Sequence, residues 1–320
     1  MSVSRTPSSS LAELELALVW GAWVELGVSG WQRTHRSWAI DPEPLILRTA
    51  MLGDADPRLR DEALDWCIHY WRYVSRVRLR NLLRDHSADS LDRWGQFAAT
   101  VNKHSKASWP HATRELEYTI TGRSSLRSME QPSRAWLRLR AVFGLGARAE
   151  ILRYFLSGNR RGAVAVIAEN IGYVKRNVAD ECDSLETAGV LKKHQVGNRF
   201  YYALARRKEL QEFVGSLPET CPDWASLFEM TSAMVGLEAK ARVAPVEVLI
   251  VEAHKVARLL DGSLENLDIE DRPTLVLPDD YWPAVRDFAQ RYMSAWSAGR
   301  WTPIRQQRPP ARTHSGDRAS

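Results

Sequence analysis

Cysteine is scarce in this chain. Cys67, Cys182 and Cys221 lie far apart among 320 residues, with no C-x-x-C spacing. Such a set builds no disulfide framework and no thiolate metal cluster, and with no signal peptide it implies a reducing, cytoplasmic setting. Long hydrophobic runs are missing too. The longest, "LALVWGAWVELGV" at 16–28, contains Glu25 and falls short of the roughly 20 apolar residues that span a bilayer, so no membrane partner is expected. There is no G-x-S-x-G, no H-E-x-x-H and no P-loop. His104 and His111 stand seven apart in a polar stretch without further ligands, and carboxylate pairs such as Asp183/Glu186 fit solvated helix faces. No enzyme, catalytic residue, metal site or cofactor is expected, and no internal repeat has a fixed period.

What is present is tryptophan, thirteen in all and most of them before residue 140, which implies an aromatic core in the N-terminal part. Charge is unevenly placed. Residues 1–131 carry 17 Lys/Arg against 16 Asp/Glu, residues 132–207 carry 14 against 6, and residues 208–320 carry 13 against 17. The whole basic excess therefore lies in the central 76 residues, as suits a polyanionic partner.

Periodicity suggests a mainly α protein. Residues 1–10 and 301–320 read as disordered, 11–101 as a helical N-terminal domain, 102–133 as a linker or irregular connection, and 208–300 as a helical C-terminal domain. Asp56 and Pro57 mark one helix start. In "RVRLRNLLRD", Leu79, Leu82 and Leu83 face inward while Arg76, Arg80 and Arg84 project together, as in a second helix-turn-helix or an ordinary bundle helix. In the C-terminal part, Val246, Leu249, Ile250, Ala253, Val256, Ala257 and Leu260 share a wide face suited to a core, a second subunit or a protein partner.

The central segment opens on "LRLRAVFGLGARA", where Gly144-Leu145-Gly146-Ala147-Arg148-Ala149 imitates a dinucleotide-binding turn. A buried parallel strand before those glycines would enclose Arg138 and Arg140 unpaired, which is too costly, and no further strand–helix alternation follows. The helical reading is more specific. "ARAEILRYF" forms an amphipathic helix, "AVAVIAENIG" a short one ending at Gly172, and "YVKRNVADECDSLETAG" a third with Val174, Val178, Cys182 and Leu185 inward. "VLKKHQV" and "RFYYAL", joined through Gly197-Asn198, read as a hairpin.

On "ARAEILRYF", "IAENIGYVKRNVADECDSLETAGVLKK" and "GNRFYYAL", residues 141–204 resemble the winged helix-turn-helix of the ArsR and MarR groups of bacterial transcription regulators. The wider chain also looks like uncharacterised actinobacterial regulator-like proteins. The resemblance implies three helices plus a two-stranded wing within 134–207, set between helical segments. It also implies a homodimeric regulator whose recognition helix, 174–188, enters the major groove of double-stranded DNA. The paired cysteines of metal-sensing ArsR members are missing from that helix.

Arg176 and Asn177 are the expected base readers, with Asp180 on the same outward side. Tyr173 and Lys175 are expected at phosphates, as are Arg160 and Arg161 before the second helix. Lys192, Lys193, His194, Asn198 and Arg199 supply the wing contacts. Lys175, Arg176, Lys192, Lys193 and Arg199 should make one face. Phe200, Tyr202 and Leu204 should pack the wing onto the core. The alternative is a winged-helix interaction scaffold, or an antitoxin-like partner, without sequence-specific DNA binding.

Overall fold

Side-chain caps and prolines set the helix starts. The computed structural model describes residues 9–30, 34–84 and 86–302, less the side chain of Asp54. Nearly all of the lead and tail expected to be disordered thus lies outside the described residues. Ser10 and Glu13 form a capping box on α1 (Leu11–Leu26), and Pro42 opens α2 (Pro42–Leu52). Asp56, Ser75 and Ser87 cap α3 (Pro57–Tyr70), α4 (Arg76–Leu82) and α5 (Ala88–His104). After α5 the chain runs irregularly to residue 131, yet it is firmly held. Asp65 accepts backbone hydrogen bonds from Thr121, Gly122 and Ser124, and Trp109 stacks on Trp94 with ring centroids 5.7 Å apart.

Residues 135–143, the false strand of the glycine motif, form α6 (Ala135–Phe143). Next come α7 (Ala147–Leu156), α8 (Val164–Ile171) and α9 (Lys175–Thr187). Strands β1 (Leu191–Val196) and β2 (Arg199–Leu204) pair antiparallel, with Leu191 opposite Leu204 and Val196 opposite Arg199. Then follow α10 (Arg207–Val214), α11 (Trp224–Ala241, capped by Asp223), α12 (Val246–Asn266) and α13 (Tyr281–Ser297). Among the described residues the protein is mainly helical, with one small two-stranded antiparallel sheet.

Two hydrophobic cores organise these elements. One is made by α6–α9, the hairpin and α10, with Ile151, Phe155, Ile167, Val178, Cys182 and Tyr202 at its centre. The other contains side chains from both ends of the chain: α1 packs on α11 and α13, and Trp23, Trp66, Trp94, Trp224, Phe288 and Trp296 share it. The N- and C-terminal helical segments, expected as separate domains, are therefore one bundle. Periodicity identifies each amphipathic stripe but cannot name its partner, and here the stripes of α1, α11 and α13 face one another. Trp224 donates to Ala39 O at 2.6 Å, and Trp38 packs on Trp224 and Trp301, which fastens the two ends together.

Candidate functional site

The candidate site lies on α9 and the hairpin. Helix α9 follows α8 across a tight turn in which Gly172 adopts φ 69°, a left-handed conformation that disfavours a side chain. Val178, Cys182 and Leu185 face the core, and burial pushes the Cys182 thiol up to about 12, so it is an inert packing group. Asp183 lies on the flank towards the hairpin, where it accepts from Lys193 Nζ at 2.8 Å and from Tyr202 OH at 2.6 Å. At helical spacing, Asp180 and Arg176 fall three and seven residues before Asp183 on the same side. Lys175, Arg176, Asn177 and Asp180 are all exposed.

The hairpin has two faces, because directly opposed residues point the same way. Leu191, Lys193, Gln195, Phe200, Tyr202 and Leu204 share the face towards α9. Lys192, His194, Arg199 and Tyr201 lie on the outer face, where the Arg161 guanidinium sits 5.6 Å from the Tyr201 ring. Asn198 is exposed in the turn. A short bridge adds a third edge: Gly162 and Tyr202 exchange two 2.9 Å backbone hydrogen bonds.

Five expectations change. Lys193 does not join the exposed cations, because it is tied to Asp183 with its ammonium 4.8 Å from the Phe200 ring. Hydrogen bonds from Lys193 and Tyr202 in turn lower the Asp183 pKa. Phe200 is 49% exposed rather than packed inward, since it lies towards the hairpin tip, beyond the core that encloses Tyr202. Val174 is 65% exposed because it precedes the first turn of α9 and has no core above it. Tyr173 is half-buried against the bundle, with its hydroxyl 3.1 Å from Ser75 Oγ. Arg160 is exposed but lies apart from the others, in a recess with Gly158, Leu204 and Arg207.

The larger feature missed in the sequence is a buried ionic seam joining the two cores. Asp41, Glu43 and Arg78 come from the bundle; Arg140, Glu150 and Arg153 come from α6 and α7. Arg140 reaches Glu43 at 2.8 Å, Glu150 at 2.7 Å and Tyr73 O at 2.7 Å. Burial opposes ionisation of Glu150, but the guanidiniums of Arg140, Arg78 and Arg153 outweigh it and hold the carboxyl at about 2. The same contest keeps Asp41 well below the usual carboxylate range. The visible signals were two acids in "DPEP" and two arginines inside an apolar run. Beside the seam, Asn81 Nδ2 donates to Gly172 O at 2.5 Å and ties α4 to the α8–α9 turn. Arg76, Arg80 and Arg84 remain exposed, while Arg78 between them is buried.

Among the described residues no group of three or more His, Cys, Asp or Glu is placed to hold a metal ion, and no helix is long and apolar enough to cross a membrane. Compared with protein-family models, with curated proteins and with solved structures, the chain matches none.

Proposed function

We propose that residues 135–214 are a winged helix-turn-helix and that the protein is a DNA-binding transcriptional regulator working as a homodimer. The order of α7, α8, α9 and hairpin supports the fold reading, as does the Gly162–Tyr202 bridge. The observation that carries the functional reading is the set of exposed cations on α9 and the outer hairpin face. Among the described residues Lys175, Arg176, Lys192 and Arg199 make no ion pair, and Arg161 lies over Tyr201 on the outer hairpin face with Lys192 and Arg199. In this reading Arg176 and Asn177 meet base edges, and Lys175, Arg161, Lys192 and Arg199 meet phosphates. Two copies then read a palindromic site.

Binding to mixed genomic fragments across a salt series tests it. The proposal expects log K to fall steeply with log salt and one sequence to be enriched. Flat salt dependence with no enriched sequence overturns it. The second reading, a protein-interaction scaffold, draws on the exposed Val248, Val251 and Leu259 of α12, an apolar strip available to a partner protein.

A further inference from the structure

Helix α4 carries a row of arginines that the fold does not use. Residues 72–84, "RYVSRVRLRNLLR", contain five arginines and no acid. One of them, Arg78, is buried in the seam against Asp41 and Glu43, and its burial fixes the roll of α4. With Arg78 inward, Arg76 and Arg80 lie two residues to either side, about 200° round the helix, and turn outward. They stand about 6 Å apart along the axis, and Arg84 continues the row in the turn that follows. All three are exposed, and among the described residues none makes an ion pair.

Such a row costs the fold stability. Like charges one turn apart on a helix repel, and Arg76, the first residue of α4, sits at the positive end of the helix dipole. Elsewhere in the bundle exposed cations are matched, as Lys103 is with Glu115, Lys240 with Glu252, and Arg291 with Asp271 and Asp287. A local rule broken with no gain in packing belongs at a functional surface.

The place of the row identifies its partner. Ser75, the cap of α4, has its Oγ 3.1 Å from Tyr173 OH, and Asn81 Nδ2 donates to Gly172 O at 2.5 Å. Helix α4 therefore runs beside the α8–α9 turn. Lys175, which opens α9, follows Tyr173 by two residues, at most about 7 Å of chain. Val174 between them is exposed, so the turn is open to solvent there. The row thus adjoins the end of α9 that enters the groove in the function proposed above. Three unpaired guanidiniums complement a polyanion, and arginine clasps phosphate oxygens in pairs.

We propose that the arginine row of α4 is a second DNA-contacting surface, which holds the phosphate backbone of the duplex flanking the groove entered by α9. This rests on the regulator reading and adds to it a surface outside residues 135–214. Phosphate contacts of this kind carry no sequence preference. Arg78, which also lies 3.9 Å from Glu150 of α7, holds the two surfaces in one orientation.

The test uses the full chain and two duplexes: the sequence enriched from genomic fragments, alone and with about ten base pairs, one helical turn, added on each side. Affinity is measured across a salt series for wild type and for Arg76→Gln/Arg80→Gln/Arg84→Gln. These side chains have no ion-pair partner among the described residues, so the variant is expected to unfold at a temperature no lower than wild type. On the longer duplex the variant is expected to bind about tenfold more weakly or worse, to lose about 3 per protomer from the slope of log K against log salt, and to keep its base preference. On the short duplex the two proteins should bind alike. Equal affinity and slope on the longer duplex overturn this surface and leave the regulator reading standing. Flat salt dependence and no enriched sequence for wild type overturn that reading, and this surface with it. Weaker binding of the variant to phosphatidylglycerol vesicles, with DNA binding unchanged, assigns the row to an anionic membrane and overturns the DNA assignment.

Discussion

Lys192 and Lys193 are adjacent, carry the same charge and have opposite surroundings. Lys192 projects from the outer hairpin face, whereas Lys193 is bound to Asp183 beside two aromatic rings. Lys192→Gln is expected to reduce the slope of log K against log salt by about 1, and Lys193→Gln to leave that slope unchanged. Arg176→Ala should cost about 1–3 kcal/mol at one base position and relax preference there. Equal effects of all three variants across sequences and salt would remove the distinction. Gly162 gives a stability test at the same scale. A Cβ there would lie 2.8 Å from Ile167 Cγ1 and 2.9 Å from the Tyr154 ring, so Gly162→Ala is expected to destabilise the fold by about 1–3 kcal/mol in denaturant unfolding. The charges of these residues were legible in sequence. Which lysine keeps its charge available was not, because strand alternation assigns faces but not cross-element partners.

Among the elements, α7, α8, α9 and the hairpin were legible because local signals agreed: stripes at helical spacing, glycines after α8 and α9, and a two-residue turn. The role of α6 was not. Its two arginines argued against a strand, and the structure gives one of them a different resolution, burial with partners in a helix. Arg140→Met removes the cation between Glu43 and Glu150 and leaves their carboxylates buried. It is expected to cost about 3–5 kcal/mol, measured by urea unfolding, and an effect near zero would mean that the seam is not a structural contact. Acid should act on the same place. Glu150 titrates at about 2 when folded against 4.5 normally, so its stabilisation is full above pH 4.5 and declines as pH falls towards 2.

At the scale of the molecule, the bundle is closed by contacts between residues hundreds of positions apart. His35 is an example. Its Nε2–H donates to Trp296 O at 2.8 Å, its Nδ1 accepts from Thr34 Oγ1, and Gly21 lies so close that a Cβ there would meet the ring at 2.6 Å. Burial lowers the His35 pKa from 6.5 to about 4, so the folded protein keeps the ring neutral. Below pH 6.5 the unfolded chain therefore binds the extra proton first. The stability from His35 is full above pH 6.5 and falls as pH drops through 4, by about 3 kcal/mol in all. Unfolding free energies measured between pH 7 and pH 4 should show this decline, and a His35→Gln variant should lack it; a flat wild-type profile refutes the assignment.

By itself the sequence determined the helical class, the position of the three central helices and hairpin, and the concentration of positive charge on them, because each depends on neighbours within about a dozen residues. Only the tertiary structure decided that the two ends form one bundle, that a buried ionic seam joins it to the central unit, and that Lys193 and Tyr173 are engaged within the fold. Those outcomes depend on which stripe meets which and on which charge finds a partner across the chain. Spacing along a sequence carries no record of that choice.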